Sequence, residues 1–177
     1  MTLMNDYGKA LFMLTEERGT TENVLKEITL LDKVFSENPD YVKLLDTPAI
    51  SKAEKLVLID EAFKDFDEDL KSLVKILCEK HSTNAFSNVK KCFSALYDTS
   101  RGIEHVEAVT AVPMTSAQLT KMSEKLSAKS GKKIIIKNTV SPEILGGVKL
   151  RYSGVQLDGS LKTRLEKFEA SLKNTVI

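Results

Sequence analysis

Apolar residues recur at helical spacing throughout the first hundred residues of the chain. They follow the i, i+3, i+4, i+7 rule in six short segments. These segments are separated by capping residues, glycine or proline. Ser51 and Glu54 have the spacing of a capping box, and Asn38 before Pro39 places a capping side chain directly before a proline at the first position of a helix. Thr21 is a further candidate cap. The pattern predicts an all-α domain of six helices.

The periodicity changes from helical to alternating after residue 102. Alternate residues from 106 to 112 share one face of a predicted strand, which Pro113 ends. Thr115 and Gln118 form a second capping box at the start of a helix that Gly131 closes. Two strands and a last helix follow, so the elements of this half have the order β-α-β-β-α.

The chain is therefore predicted to contain two domains. An all-α N-terminal six-helix bundle occupies residues 1–103, and a small α/β domain occupies residues 104–177. The second domain is small for a self-sufficient core, because short domains bury a lower fraction of their surface. We expect it to be loosely ordered until a partner docks.

The glycine-rich stretch over residues 141–168 raises the question of a phosphate loop. Such a loop needs a helix directly after its glycines, whereas Gly146 and Gly147 precede a predicted strand. The glycine pair is better explained by a sharp turn, and Gly154 by a tight hairpin leading to a short return strand. Asp158 is predicted to cap the last helix. The stretch is interpreted as architecture.

Composition and charge narrow the function classes. Lysine and arginine number 26 against 25 acidic residues, so the net charge of +1 does not favour nucleic acid or anionic lipid as a partner. His81 and His105 lack partners at metal-ligand spacing, and Cys78 and Cys92 offer no zinc motif. No apolar run has the length of a membrane span. We predict no catalytic residue, cofactor or metal.

Two helices carry more apolar surface than one core readily covers. A surface helix normally buries a stripe somewhat over ~100° wide, and a broader arc indicates either a central position or a second contact with a partner. Both alternatives are open from the residues alone. The first helix contributes Tyr7, Ala10, Leu11, Phe12, Met13 and Leu14, and the fifth contributes Leu70, Leu73, Val74, Ile76, Leu77 and Cys78.

Three stretches resemble one known family. The run ILGGVKLRYSGVQLDGSLKTRLEKF is similar to the C-terminal signature of the delta subunit of bacterial F-type ATP synthases, whose mitochondrial relative is the oligomycin-sensitivity-conferring protein. YGKALFML, from Tyr7, resembles the first helix of that family, and LLDTPAISKAEK resembles its junction of third and fourth helices. The specific part of the signature is Gly146, Gly147, Gly154, Asp158 and Gly159.

The resemblance implies a non-catalytic stator connector in a proton- or sodium-driven ATP synthase. In the family, the helical domain sits on the α/β hexamer and the second domain binds the C-terminal end of the b subunit of the peripheral stalk. The implied location is the cytoplasmic face of a bacterial membrane, without insertion.

The first and fifth helices of the family flank a groove for the N-terminal helix of an α subunit. Carried onto this chain, that groove would be lined by Tyr7, Ala10, Leu11, Leu14, Leu70, Leu73, Val74 and Leu77. The alternatives are a free-standing helical adaptor or scaffold and a small nucleic-acid binder.

Overall fold

The computed structural model describes residues 2–152, 155–163 and 165. The chain divides into two compact units, Met1–Asp98 and Thr99–Ile177. The division falls within the last helical turn before the sheet, slightly earlier than the predicted junction of residues 103 and 104. Within the described residues, no helix combines the length and hydrophobicity that a bilayer crossing requires.

Helices fill the described part of the first unit. They are α1 (Thr2–Arg18), α2 (Thr21–Glu37), α3 (Pro39–Asp46), α4 (Lys52–Ala62), α5 (Glu68–Glu79) and α6 (Phe86–Ser100), with a 3-10 turn over Thr83–Ala85. All six helices contribute to one hydrophobic core, in which Phe86 packs edge to face on Phe35 at a centroid distance of 5.2 Å. This part of the chain is therefore held together by its own apolar side chains.

The helix ends test the predicted caps. Ser51 accepts a hydrogen bond from the Glu54 amide, and the Glu54 carboxylate accepts one from the Ser51 amide, so this capping box is confirmed. The Asn38 side chain does not cap α3, because its amide instead donates to the Val34 carbonyl at 2.9 Å. The cap predicted at Thr21 is also wrong, since Thr21 is already the first residue of α2.

A central position distinguishes α5 from the other helices. It packs against α1, α3 and α4. The Lys55 ammonium of α4 and the Cys78 thiol of α5 both donate to the Leu45 carbonyl at the end of α3, at 2.6 and 3.3 Å. These two bonds satisfy a carbonyl that the helix end would otherwise leave unpaired.

The described part of the second unit is a four-stranded sheet with one helix. Its elements are β1 (Ile103–Thr110), α7 (Ser116–Ser130), β2 (Lys133–Val140), β3 (Val148–Tyr152) and β4 (Val155–Asp158), and the strand order is β2-β1-β3-β4. β1 and β2 are parallel because α7 forms the crossover between them, and the other pairs are antiparallel. The predicted order β-α-β-β-α did not include β4. This segment was expected as a short return strand but was left out of the element order. The Thr115 and Gln118 capping box of α7 and its Gly131 C-cap are confirmed.

The glycine-rich stretch brings two segments of backbone into close contact. A Cβ on Gly147, whose φ is +84°, would lie 2.5 Å from the Gly159 carbonyl oxygen. The Leu161 amide donates to the Gly146 carbonyl, and the Gly159 amide donates to the Val148 carbonyl, each at 3.0 Å. These bonds leave no room for a side chain at Gly147, so the stretch serves the fold. Gly154 lies outside the described residues.

The cap of the final helix differs from the prediction. Ser160 is the capping residue, since its hydroxyl accepts from the Thr163 amide at 3.4 Å. Asp158 acts two residues earlier, where its carboxylate accepts from the Ser160 amide at 2.9 Å and pairs with Lys149 at 3.0 Å. The aspartate therefore fixes the turn that delivers the cap. The expected apolar stripe of that helix falls largely on residues outside the described set.

Candidate partner-binding groove

Helices α1 and α5 lie side by side, and an ion pair marks their shared seam. The Arg18 guanidinium, at the end of α1, is 2.8 Å from the Asp69 carboxylate at the start of α5. Residues four and seven apart share one side of a helix. Leu14 therefore lies on the seam side of α1 below Arg18, and Ile76 lies on the seam side of α5 beyond Asp69.

The α1 wall of this groove is partly open. Leu14 is 44% exposed, Ala10 is exposed and Tyr7 is half-buried, whereas Leu11 is only 3% exposed because it points into the core. Met13, beside Leu14 on the outer surface, is 70% exposed. Three of the four predicted α1 residues thus offer surface to a partner.

The α5 wall differs from the prediction. Leu70, Leu73, Val74 and Leu77 all lie in the core, none more than 6% exposed, so the expectation that they are accessible is wrong. The reason is the central position of α5, whose apolar arc is covered by α1, α3 and α4. Ile76, at 42% exposure, is the apolar side chain that α5 presents at the seam.

The two sides of α5 differ in their charged contacts. On the side of α4, Lys75 pairs with Asp60, and Glu79 pairs with Lys52 at 2.8 Å. On the side of α1, the ion pair found among the described residues is that of Asp69 with Arg18, and Ile76 lies seven residues farther along α5. Ile76 is therefore an exposed apolar side chain of α5 that lies apart from the ion pairs to α4.

The remaining chemistry-bearing groups do not converge. Burial raises the pKa of the Cys78 thiol, which disfavours the reactive thiolate. The His81 ring forms a hydrogen bond with the Asp46 carbonyl at 2.8 Å, and His105 belongs to the other unit. Across the described residues, no group of three or more histidine, cysteine or acidic side chains is arranged to hold a metal ion.

Ile76 is the exposed residue of the seam that sequence reasoning left out of the predicted groove. It belongs to the broad apolar arc of α5. Ile76 lies seven residues after Asp69, so the two share one side of α5. That spacing could have identified Ile76 only if the partner of Asp69, Arg18, had been known, and the fold alone shows that partner. The groove is thus a feature of tertiary packing that neither helix specifies alone.

Comparisons with known proteins agree with one another. The family model described as ATP synthase delta (OSCP) subunit matches residues 3–172. The ATP synthase subunit delta of Clostridioides difficile strain 630 is 31% identical over 98% of this chain and 97% of that protein. Its counterpart from Lactobacillus gasseri is 33% identical over 94% of this chain and 92% of that protein.

A solved structure shares the fold. A chain in the cryo-EM structure of the Toxoplasma gondii mitochondrial ATP synthase hexamer matches with a TM-score of 0.68 at 21% identity, over 97% of this chain and 98% of that one. At this sequence identity the match supports the fold alone, which is a helical part followed by a small mixed sheet. The family match over nearly the full length goes further: this chain belongs to the ATP synthase delta (OSCP) subunit family.

Proposed function

We propose that this protein is the non-catalytic connector that holds the α/β hexamer of an F-type ATP synthase to its b-subunit stalk. The single observation that carries the proposal is membership of the delta (OSCP) family over residues 3–172. Catalysis then belongs to other subunits of the complex.

The first unit is the part that binds the hexamer. Its six helices form one bundle, and the seam of α1 and α5 receives the N-terminal helix of an α subunit. Exposed Leu14 and Ile76 on the two walls support this site. Tyr7 and Ala10 extend the α1 wall, while Leu11, Leu73 and Leu77 support it from the core.

The second unit binds the C-terminal end of the b subunit. Together the two contacts place the protein at the cytoplasmic face of a bacterial membrane, as a peripheral component. Rotation of the central shaft pushes on the hexamer, and ATP is made only if this joint resists the torque. Binding free energy is the property required, and a nanomolar joint corresponds to about 12 kcal/mol.

Few anchors usually carry most of such a binding free energy. An aspartate at an anchor position desolvates a charge against the partner helix, so Leu14→Asp and Ile76→Asp should each weaken binding of a synthetic α-subunit N-terminal peptide by at least about 30-fold, or roughly 2 kcal/mol. Isothermal titration calorimetry measures the affinity, and circular dichroism checks the fold. Leu77→Asp is unsuitable, because Leu77 is fully buried.

Leu30→Asp is the matched control. Leu30 lies on α2 with 51% exposure, so the substitution makes the same chemical change on an equally open helical surface away from the seam. It should leave peptide affinity unchanged within about twofold. Equal affinities for all three variants would remove the seam as the binding site.

A further inference from the structure

Strand β2 lies at one edge of the sheet. Among the strands that the structure describes, it has a neighbour on one side only. The Lys133 amide, at the start of β2, donates to the Gly102 carbonyl on the side of β1, and the Ser141 amide after its end donates to the same side, each at 2.9 Å. Because peptide groups alternate between the two edges of a strand, the backbone groups of the even-numbered residues from 134 to 140 point away from β1. Such an edge is a template for a strand of another chain.

Helix α7 occupies the first position of this outer edge. The Ser123 hydroxyl donates to the Ile134 carbonyl, and the Ile134 amide donates to the Ser127 hydroxyl at 3.1 Å. The two serines are four residues apart and share one side of α7, so a donor and an acceptor face Ile134 together. They replace the pair of bonds that a neighbouring strand would make. The outer edge then continues with Ile136, Asn138 and Val140.

Two lysines flank an exposed isoleucine on one face of β2. The Ile134 side chain lies beside Leu126 of α7, so the odd-numbered side chains of the strand point to the opposite face. Lys133 and Lys137 are both exposed there, and Ile135 between them is 42% exposed. Within the described part of the chain, neither lysine belongs to an ion pair. An isoleucine-rich segment at an open edge favours strand association, and lysines on such a strand oppose it.

We propose that the Ser123–Ser127 pair together with Lys133 and Lys137 keeps β2 from pairing with the same strand of a second copy. Two identical strands related by a two-fold axis pair antiparallel. With the axis at residue 137, Lys137 stands directly opposite the same lysine of the second copy. With the axis at residue 136 or 138, the two lysines are diagonal neighbours, still within reach of long side chains. Like charges so placed are destabilising, and this arrangement is independent of the proposed stator role.

The charged part of the proposal is tested by K133V/K137V in the full-length protein. Loss of the like charges should raise the self-association constant, measured by sedimentation equilibrium, by at least about tenfold in about 0.05 M salt. The matched control is K64V/K91V, which makes the same change at two exposed lysines of the first unit and should stay within about twofold of the wild type. Circular dichroism checks the fold. A folded K133V/K137V that associates no more than its control would overturn the role of the lysines.

Charge reversal separates repulsion from the added apolar surface. K133E/K137E again places like charges against each other, so it should be as monomeric as the wild type. An equimolar mixture of K133E/K137E and wild type should associate more than either protein alone at low salt, because opposite charges then meet. Association of K133E/K137E by itself to the extent of K133V/K137V would show that charge does not hold the copies apart, and would overturn the proposal.

Hydrogen exchange locates the contact and tests the serine pair. In associated K133V/K137V, the Ile136 and Asn138 amides should exchange at least about tenfold more slowly than in the monomer, because they point outward. Protection confined to other segments would assign the association to another surface and overturn the proposal. In S123A/S127A the Ile134 amide loses its acceptor, so it should exchange faster while the Ile135 amide, on the side of β1, is little changed. Unchanged exchange at Ile134 would remove the serines from the proposal's edge protection and overturn that part.

Discussion

The two units bury their apolar side chains to very different extents. Sixteen buried apolar side chains form the core of the first unit among the described residues, fifteen from its six helices and Phe63 from the end of α4. In the described part of the second unit the buried apolar side chains are five, namely Val106, Ala108, Val109, Ile134 and Ile144. The first unit thus buries many more apolar side chains than the described part of the second unit does.

Helix α7 illustrates the difference most clearly. None of its residues is buried, although its capping box and glycine C-cap are well formed. By contrast, six residues of α5 are buried over a shorter length. Local signals therefore suffice to form α7 against β2, but packing gives it little stability. We expect the second unit to open more readily than the first when the isolated protein is in solution.

The largest expected effect is a cavity in the core of the first unit. Phe86 is 1% exposed, and Phe86→Ala should lower the free energy of unfolding of that unit by about 3–5 kcal/mol. Leu150→Ala, at a half-buried site in β3, should cost the second unit less, on the order of 1 kcal/mol, because less apolar surface is removed from water there. Urea unfolding monitored by hydrogen exchange measures the loss of unfolding free energy in each unit separately. Equal losses in both units after Phe86→Ala would mean that they unfold as one, and the comparison would fail.

The second prediction concerns the tightest place in the otherwise open second unit. Gly147→Ala forces a Cβ against the backbone of Gly159 and also strains a positive φ, while Gly131→Ala strains a φ of +69° with nothing within 4 Å. Strain alone should cost about 1 kcal/mol. The Gly147 variant should lose roughly 1–3 kcal/mol more, the usual cost of overpacking. Thermal unfolding compares them, and equal losses would show that the Gly159 segment yields freely.

Sequence reasoning succeeded where local chemistry decides the structure. The Ser51 and Thr115 capping boxes, the αL glycine at 131 and the change to alternating periodicity all act within a few residues. The cap at Thr21 failed because α2 already includes that residue, and at Asn38 the side-chain amide donates back to the Val34 carbonyl of α2 while its oxygen makes no capping bond. The two confirmed caps are both capping boxes, in which each residue of the pair bonds the backbone of the other.

The residues of the candidate groove show the same contrast in their exposure. The broad apolar arc of α1 does leave Ala10 and Leu14 exposed, while their binding of a partner stays a prediction. The same criterion failed on α5, where Leu70 and Leu77 are fully buried, because arc width does not distinguish a central helix from one that awaits a partner. That distinction depends on how many helices surround α5, which is a property of the assembled core.

The smallest expected effect is a pH dependence of the second unit, centred on Asp158. Hydrogen bonds from Ser160, aided by the Lys149 ammonium, hold the pKa of this carboxyl well below its usual range. A pKa lowered by folding contributes stability above the unfolded-state value of about 3.9, and that contribution is lost as the pH falls below it. The second unit should therefore weaken between about pH 4 and pH 2 beyond the general effect of acid. Asp158→Asn keeps the acceptor for the Ser160 amide but cannot titrate, so its stability should depend less on pH in this range. Hydrogen exchange of the β3 and β4 amides at pH 5 and pH 3 measures the difference, and identical pH profiles for variant and wild type would show that the turn at Ser160 forms independently of the carboxylate charge.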